Sequence, residues 1–164
     1  MFIRPEQPAD VAEIRNLVSA AFSNASHSSG NEAQIVDSLR RAGALAASIV
    51  AEDGGDIVGY VAFSPVRIAE RDERWYGLGP VAVRADRRRV GIGKDLIEAG
   101  LRRIAALGAK GCVVLGDPAY YARFGFACDP NLILEGVPAA YFQRLVIDGA
   151  APRGIVQYHP SFFA

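Results

Sequence analysis

Between Trp75 and Leu115 the hydrophobic period changes twice, and that double change constrains the fold more than any other feature of the chain. Trp75 to Val83 (WYGLGPVAV) reads as a strand. Val90 to Leu107 then carries Ile92, Leu96, Ile97, Leu101, Ile104 and Ala105 as one apolar stripe at helical spacing, closed by Gly108. Gly111 to Leu115 (GCVVL) is short and apolar, the pattern of a buried strand. Strand, helix, strand in this order predicts a right-handed crossover and a parallel pair. Gly79-Pro80 interrupts the first strand. Proline cannot donate to a ladder, so a bulge or splayed edge is expected there, leaving backbone groups of Val81 and Val83 unpaired.

Around this unit the chain alternates short strands and amphipathic helices. Phe2 to Pro5 reads as a first strand. Asp10 and Glu13 form a D-x-x-E capping signal for a helix whose buried face is Val11, Ile14, Leu17, Val18, Ala21 and Phe22. Ser23 to Gly30 is a polar loop, followed by a second helix from Glu32 to Arg41 that Gly43 closes. Ala47 to Glu52 and Ile57 to Val66 flank Asp53-Gly54-Gly55-Asp56, a hairpin signal, and Glu70 to Arg74 is a charged turn. A short helix is expected over Pro118 to Arg123, a strand over Phe124 to Cys128, and a terminal strand pair near Ala140 to Ile147 and Gly154 to His159. The order predicts one α/β domain over residues 1–164, a mixed sheet with helices on both faces.

Eighteen Lys and Arg balance eighteen Asp and Glu. A non-specific phosphate binder needs surplus cation to release counterions, so a nucleic-acid module is disfavoured. Cys112 and Cys128 lie in apolar runs and read as small core side chains; with His27 and His159 the only histidines, no metal site is expected. The amino terminus has no basic and apolar leader pattern, and the apolar stretch Ala44 to Ala51 is too short to span a bilayer, so a cytoplasmic protein without membrane attachment is expected.

The segment Arg84 to Ile97 (RADRRRVGIGKDLI) joins the interrupted strand to the long helix. Its glycines permit close backbone approach, and a helix start offers free N–H donors, so an anion is the natural occupant. Leu96 stands where a dinucleotide fingerprint requires its third glycine. Arg88 and Asp95 break the P-loop pattern. What remains is R-x-x-G-x-G, Arg88-Arg89-Val90-Gly91-Ile92-Gly93. Together with Val81-Ala82-Val83 before it and Ala119-Tyr120-Tyr121-Ala122-Arg123-Phe124-Gly125-Phe126 after it, the loop resembles the GNAT superfamily of acetyl-CoA-dependent N-acetyltransferases. Gly59 to Val66, Val114 to Phe126 and Val156 to Phe162 resemble its YhbS-like branch.

The resemblance implies a twisted, mostly antiparallel sheet of about seven strands, with a splayed parallel pair at the coenzyme site. It implies that acetyl-CoA is the co-substrate, its pyrophosphate held by backbone amides from Arg88 through Arg89, Val90, Gly91, Ile92 and Gly93 to Lys94, with the basic side chains adding charge. Val81, Ala82 and Val83 would line the pantetheine, and backbone groups of Val81 and Val83 would polarise the acetyl oxygen. Tyr121 matches the family tyrosine that assists the leaving thiolate, with Tyr120 as competitor. Asp117 reads as an N-cap with proline following, and at the carboxyl end of a parallel strand it also faces the coenzyme side.

The expected reaction is direct attack of an amine on the thioester in a ternary complex; a non-catalytic acyl-CoA sensor is the alternative. Many family members carry an acid on the strand before the glycine loop, whereas Trp75 to Val83 has none, which supports a water-mediated base or an acceptor that binds neutral. Glu32, His27, Glu70 and Asp72 are candidates by element order. The acceptor is a small molecule or a protein or peptide amine, and exposed strand edges would permit a homodimer.

Overall fold

The computed structural model describes residues 1–23 and 30–163. In chain order its elements are β1 (Phe2–Pro5), α1 (Val11–Phe22), α2 (Glu32–Arg41), β2 (Ala47–Asp53), β3 (Asp56–Ile68), β4 (Arg71–Val83), α3 (Ile92–Ala106), β5 (Gly111–Leu115), α4 (Pro118–Tyr121), β6 (Leu132–Ile133), β7 (Phe142–Val146) and β8 (Gly154–Gln157). The main path of the sheet is β1-β2-β3-β4-β5-β7, antiparallel except for the β4–β5 pair that α3 connects. β8 pairs with the end of β3 and with β6, giving eight strands against the expected seven. Most of the expected loop Ser23 to Gly30, His27 included, falls outside the described residues.

Side chains alternate across the sheet and so separate two faces. On one, Ile92, Leu96, Ile97 and Ile104 of α3 pack on Val61, Phe63, Leu78, Cys112 and Val114. On the other, Ile14, Leu17 and Val18 of α1 and Val36 of α2 pack on Tyr60, Ala62 and Ala82. Trp75, Val66, Ile68 and Val113 continue that second face and bury Leu132, Phe142 and Val156 of the carboxy-terminal part. Removal of each such side chain from water contributes roughly 1.5–3 kcal/mol.

Several local expectations are corrected. Asp10 does not cap α1 with its side chain. Its carboxylate accepts instead from Arg4 Nη1 at 2.7 Å, Arg4 Nη2 at 3.1 Å and the Gln7 N–H at 2.7 Å, while Glu13 Oε2 accepts from the Ile57 N–H. A bidentate guanidinium from β1 outcompetes a single backbone N–H. The β3–β4 turn is only Ala69-Glu70, both at positive φ, so β4 begins at Arg71. Phe124 to Cys128 is not a strand: a 3-10 turn ends at Gly125 and only Ala127 bridges to Arg144. The two carboxy-terminal strands do not pair together, since β7 joins β5 and β8 joins β3 and β6. Cys112 is buried as expected, but Cys128 is exposed.

The divergence that positions the site lies in the middle of β4. Its register with β3 shifts between Val61↔Val81 and Phe63↔Leu78, so Gly79 and Pro80 together stand opposite Ala62. The parallel ladder with β5 stops at Leu78↔Val114. Beyond that point β4 has β3 on one side and no strand among the described residues on the other.

Candidate active site

Alternation along β4 decides which backbone groups face the open side. The Arg84 N–H donates to Val58 O at 2.9 Å, so Ala82, two residues back, is the next residue to exchange hydrogen bonds with β3, opposite Tyr60. The N–H and C=O groups of Val81 and Val83 therefore point away from β3, into the gap left by β5. Arg88 Nε donates to Val83 O across that gap, at a long 3.4 Å. The expectation of available Val81 and Val83 backbone groups rests on this geometry. Ala82 differs: its backbone belongs to the β3 ladder and its side chain is buried beneath α1.

Two cavities lie along this open edge, one reached by Val83 and the other by Val81. The first, about 460 Å³, is lined by Val83, Arg88, Arg89, Gly91, Gly93 and Lys94, with Arg87, Ile92, Tyr120 and Arg123 completing it. Gly91 caps α3 at φ +90, a conformation that costs any residue with a Cβ about 1–2 kcal/mol. The first bond inside the helix runs from the Asp95 N–H to Gly91 O, so the N–H groups of Ile92, Gly93 and Lys94 have no acceptor within it. Val90 is exposed. The local cationic charge is smaller than the count of basic residues suggests. Arg84 pairs with Asp86, Arg87 with Asp53, and Lys94 Nζ with Glu98 at 2.7 Å, an ion pair that raises the lysine pKa. Arg88 and Arg89 have no carboxylate partner among the described residues. Arg123 lies 4.4 Å over the Tyr120 ring.

The second cavity, about 520 Å³, opens on the other side of the edge and is lined by Leu78, Gly79, Pro80, Val81, Leu115 and Tyr121. Phe22 of α1, Glu32 and Ile35 of α2, Glu135 after β6, and Tyr158 and Phe162 near the carboxyl end form its outer walls. Val81 and Val83, one in each cavity, are about 7 Å apart along the strand.

The adjacent tyrosines diverge accordingly. Tyr120 sits in the cationic cavity, its hydroxyl 3.3 Å from the point where a Cβ on Gly93 would stand. Tyr121 faces the apolar cavity, its ring against Gly116 and edge-on to Phe126 at 5.9 Å between centroids. Burial, with the neighbouring Tyr120 and Cys112 adding to it, pushes the Tyr121 phenol up to about 12. It is a neutral donor throughout the physiological range.

The remaining candidates separate. Asp117 caps α4, its Oδ1 accepting from the Ala119 N–H at 2.9 Å, and lines neither cavity. Glu70 and Asp72 lie at the opposite end of β4, about 30 Å from Val81. Glu32, unlike Glu70 and Asp72, reaches the apolar cavity, and His27 lies outside the described residues. Glu135 and Tyr158, which sequence reasoning missed, reach it from segments whose local pattern gives no such signal. Among the described residues no group of three or more His, Cys, Asp or Glu can hold a metal ion, and no helix is long and apolar enough to cross a membrane.

Residues 11–126 match the family model described as acetyltransferase (GNAT) family. The chain is 37% identical to the Escherichia coli strain K12 protein described as an uncharacterized N-acetyltransferase, YhbS, over 99% of this chain and 98% of that protein. It superposes on the crystal structure of a GNAT family acetyltransferase from Brucella melitensis in complex with acetyl-CoA with a TM-score of 0.89 and 46% identity, covering 98% of this chain and 97% of the other. Against Escherichia coli YhbS in complex with CoA the TM-score is 0.91 at 35% identity, covering 99% and 92%. With a family match over most of its length and relatives similar from end to end, this chain belongs to the GNAT family of acetyltransferases.

Proposed function

We propose that this protein binds acetyl-CoA along the open edge of β4 and transfers its acetyl group directly to an amine bound in the apolar cavity. The observation that carries the reading is the β4–β5 divergence: it turns the polar backbone groups of Val81 and Val83 toward a gap with a cationic cavity at one end and Tyr121 at the other. The residues fit the coenzyme. Free amides at the start of α3, with Arg88 and Arg89, suit a pyrophosphate. The unpaired edge suits the amide groups of a pantetheine arm, which would add to β4 where β5 departs.

Bound there, acetyl-CoA supplies a thioester whose carbonyl carbon an amine can attack. The Val81 N–H, fixed by the strand, donates to the developing oxyanion, and a preset donor needs no reorganisation as the charge forms. The N–C bond forms and the C–S bond breaks; the amine gives up one proton, and the sulfur leaves as a thiolate that takes its proton from water. Tyr121 hydrogen-bonds that sulfur. Outright transfer from a phenol near 12 to a thiolate near 8.5 would be uphill by about 5 kcal/mol, so Tyr121 stabilises the thiolate rather than surrendering its proton to it. The amine proton leaves through water toward the Glu32 and Glu135 carboxylates that line the same cavity. Carboxylates from α2 and the loop after β6 offer the acid that Trp75 to Val83 lacks, which supports turnover over a silent acyl-CoA sensor.

Initial rates of thiol release, with acetyl-CoA and amine both varied, test the proposal. Intersecting reciprocal plots and an unmodified protein mass support direct attack. Parallel plots with an acetylated protein overturn it. Tight acetyl-CoA binding without thiol release across an amine panel would restore the sensor.

A further inference from the structure

Tyr158 carries a hydroxyl that the fold leaves without a use. Its oxygen is almost entirely shielded from solvent and has no hydrogen-bond partner among the described residues. A buried, unsatisfied phenol costs stability, and buried polar groups in folded proteins are rarely left so. Burial raises its pKa, so the group is neutral and can both donate and accept. Tyr158 also lines the apolar cavity beside Gly79, Pro80, Val81 and Tyr121.

Its placement is specific. The Tyr158 ring lies on the β4 backbone at Gly77, where a Cβ would stand 3.5 Å from Cε1 and Cζ. Gly77 shares its face of the sheet with Trp75 and the α1/α2 side, whereas Leu78 and Tyr121 belong to the α3 face. The two phenols therefore flank the opening in the sheet from opposite faces, Tyr121 on the side of the coenzyme loop and α3, Tyr158 on the side of α1 and α2. Tyr158 is held there by Phe162, at 5.1 Å between ring centroids, and by the turn in which the Ser161 N–H donates to His159 Nδ1. Ser38 Oγ of α2 donates to Ser161 Oγ at 2.8 Å and ties that turn to the cavity wall.

Among the described residues, Phe22, Ile35, Leu134, Val137, Phe162 and Phe163 make the outer walls mainly apolar. Glu32 and Glu135 are the only charged residues among the described lining. A sugar or a polyamine would leave hydroxyls or extra ammonium groups against these apolar walls, at the desolvation cost of each unpaired polar group. Resting on the transferase reading above, we propose that the cavity receives a primary amine carried on an apolar body, and that the Tyr158 hydroxyl hydrogen-bonds its nitrogen from the face opposite Tyr121. An N–H of the amine donates to Tyr158 Oη, which leaves the nitrogen lone pair free to point through the opening at the acetyl carbon.

The test compares kcat/KM for hexylamine and phenethylamine with that for spermidine and kanamycin A at saturating acetyl-CoA, in the parent protein and in Tyr158→Phe. Expected is at least a tenfold preference for the two apolar amines. In Tyr158→Phe, their kcat/KM should fall about tenfold with acetyl-CoA affinity unchanged and Tm equal or higher, because an unsatisfied buried hydroxyl has been removed. Preference for spermidine or kanamycin A overturns the substrate class. Unchanged kcat/KM in Tyr158→Phe overturns the anchor, as does a lowered Tm with a parallel loss for all four amines, the signature of a structural role. Absence of thiol release with every amine, despite acetyl-CoA binding, refutes the transferase reading itself and is distinguishable from these outcomes.

Discussion

Gly116, at the carboxyl end of β5, offers a way to move Tyr121 without altering it. A Cβ at Gly116 would stand 2.5 Å from Tyr121 Cε2 and 3.2 Å from Cδ2, whereas ordinary contact begins near 3.4 Å. The shortfall is about 0.9 Å, and something must yield by that amount. The backbone is tethered on both sides: the Gly116 N–H donates to Tyr141 O at 2.8 Å, and Gly116 O accepts from Gln143 Nε2 at 2.9 Å. Gly116 does not sit in the left-handed region, so alanine brings no backbone strain of its own. The ring is the part that moves. A displacement near 1 Å at a reacting centre can cost about a hundredfold in rate, so Gly116→Ala should lower kcat between about tenfold and a hundredfold. Calorimetric acetyl-CoA affinity should stay within a factor of about three, since the start of α3 is untouched. Tyr121→Phe should give a similar split, and adding Gly116→Ala to it should cost almost nothing more, because the displaced group is already gone. A kcat within twofold of the parent, or a double variant as slow as the product of the two singles, would refute the assignment.

Two further outcomes follow from the electrostatics. Because Tyr121 ionises only near pH 12, kcat/KM should rise with pH as the acceptor amine loses its proton and show no descending limb below about pH 10; a limb between pH 8 and 10 that disappears in Tyr121→Phe would contradict this. The Arg4 hydrogen bonds, helped by the Gln7 N–H, hold the Asp10 carboxyl below its ordinary value. A depressed folded pKa contributes stability that is present above the unfolded value near 3.8 and is lost as pH falls through the folded value. Asp10→Asn should therefore cost about 1–3 kcal/mol at pH 7 in urea unfolding, with a smaller difference at pH 3; an equal difference at both would contradict the pairing.

What was legible in the sequence was what a short window encodes. The shift from strand to helical period and back between Trp75 and Leu115 announces the crossover, and a proline within a strand announces the break in its ladder. Which backbone groups that break would free also followed, because alternation along a strand is local. The misreadings arise where distant elements compete. Asp10 has the spacing of a cap, but Arg4 reaches it from β1. Arg87 looks like free charge until Asp53, thirty-four residues earlier, neutralises it. Lys94 is a different lesson, since its partner Glu98 stands four residues on and was readable from helical spacing. Glu135 and Tyr158 reach the apolar cavity because β8 pairs with β3 and draws the carboxy-terminal segment beneath the opening. Nothing in their immediate neighbours encodes that.

Chemistry in the gap where β4 leaves β5 requires the coenzyme to lie there, which a crystal structure with acetyl-CoA would show. Pyrophosphate oxygens are expected within hydrogen-bond distance of the amides from Gly91 to Lys94. The pantetheine arm should run along Gly79 to Val83 with its amides paired to Val81 and Val83, and the sulfur should sit beside the Tyr121 hydroxyl. The coenzyme seated elsewhere, for instance with its phosphates on Arg102 and Arg103 in the separate groove between β1, β2 and α3, would contradict it.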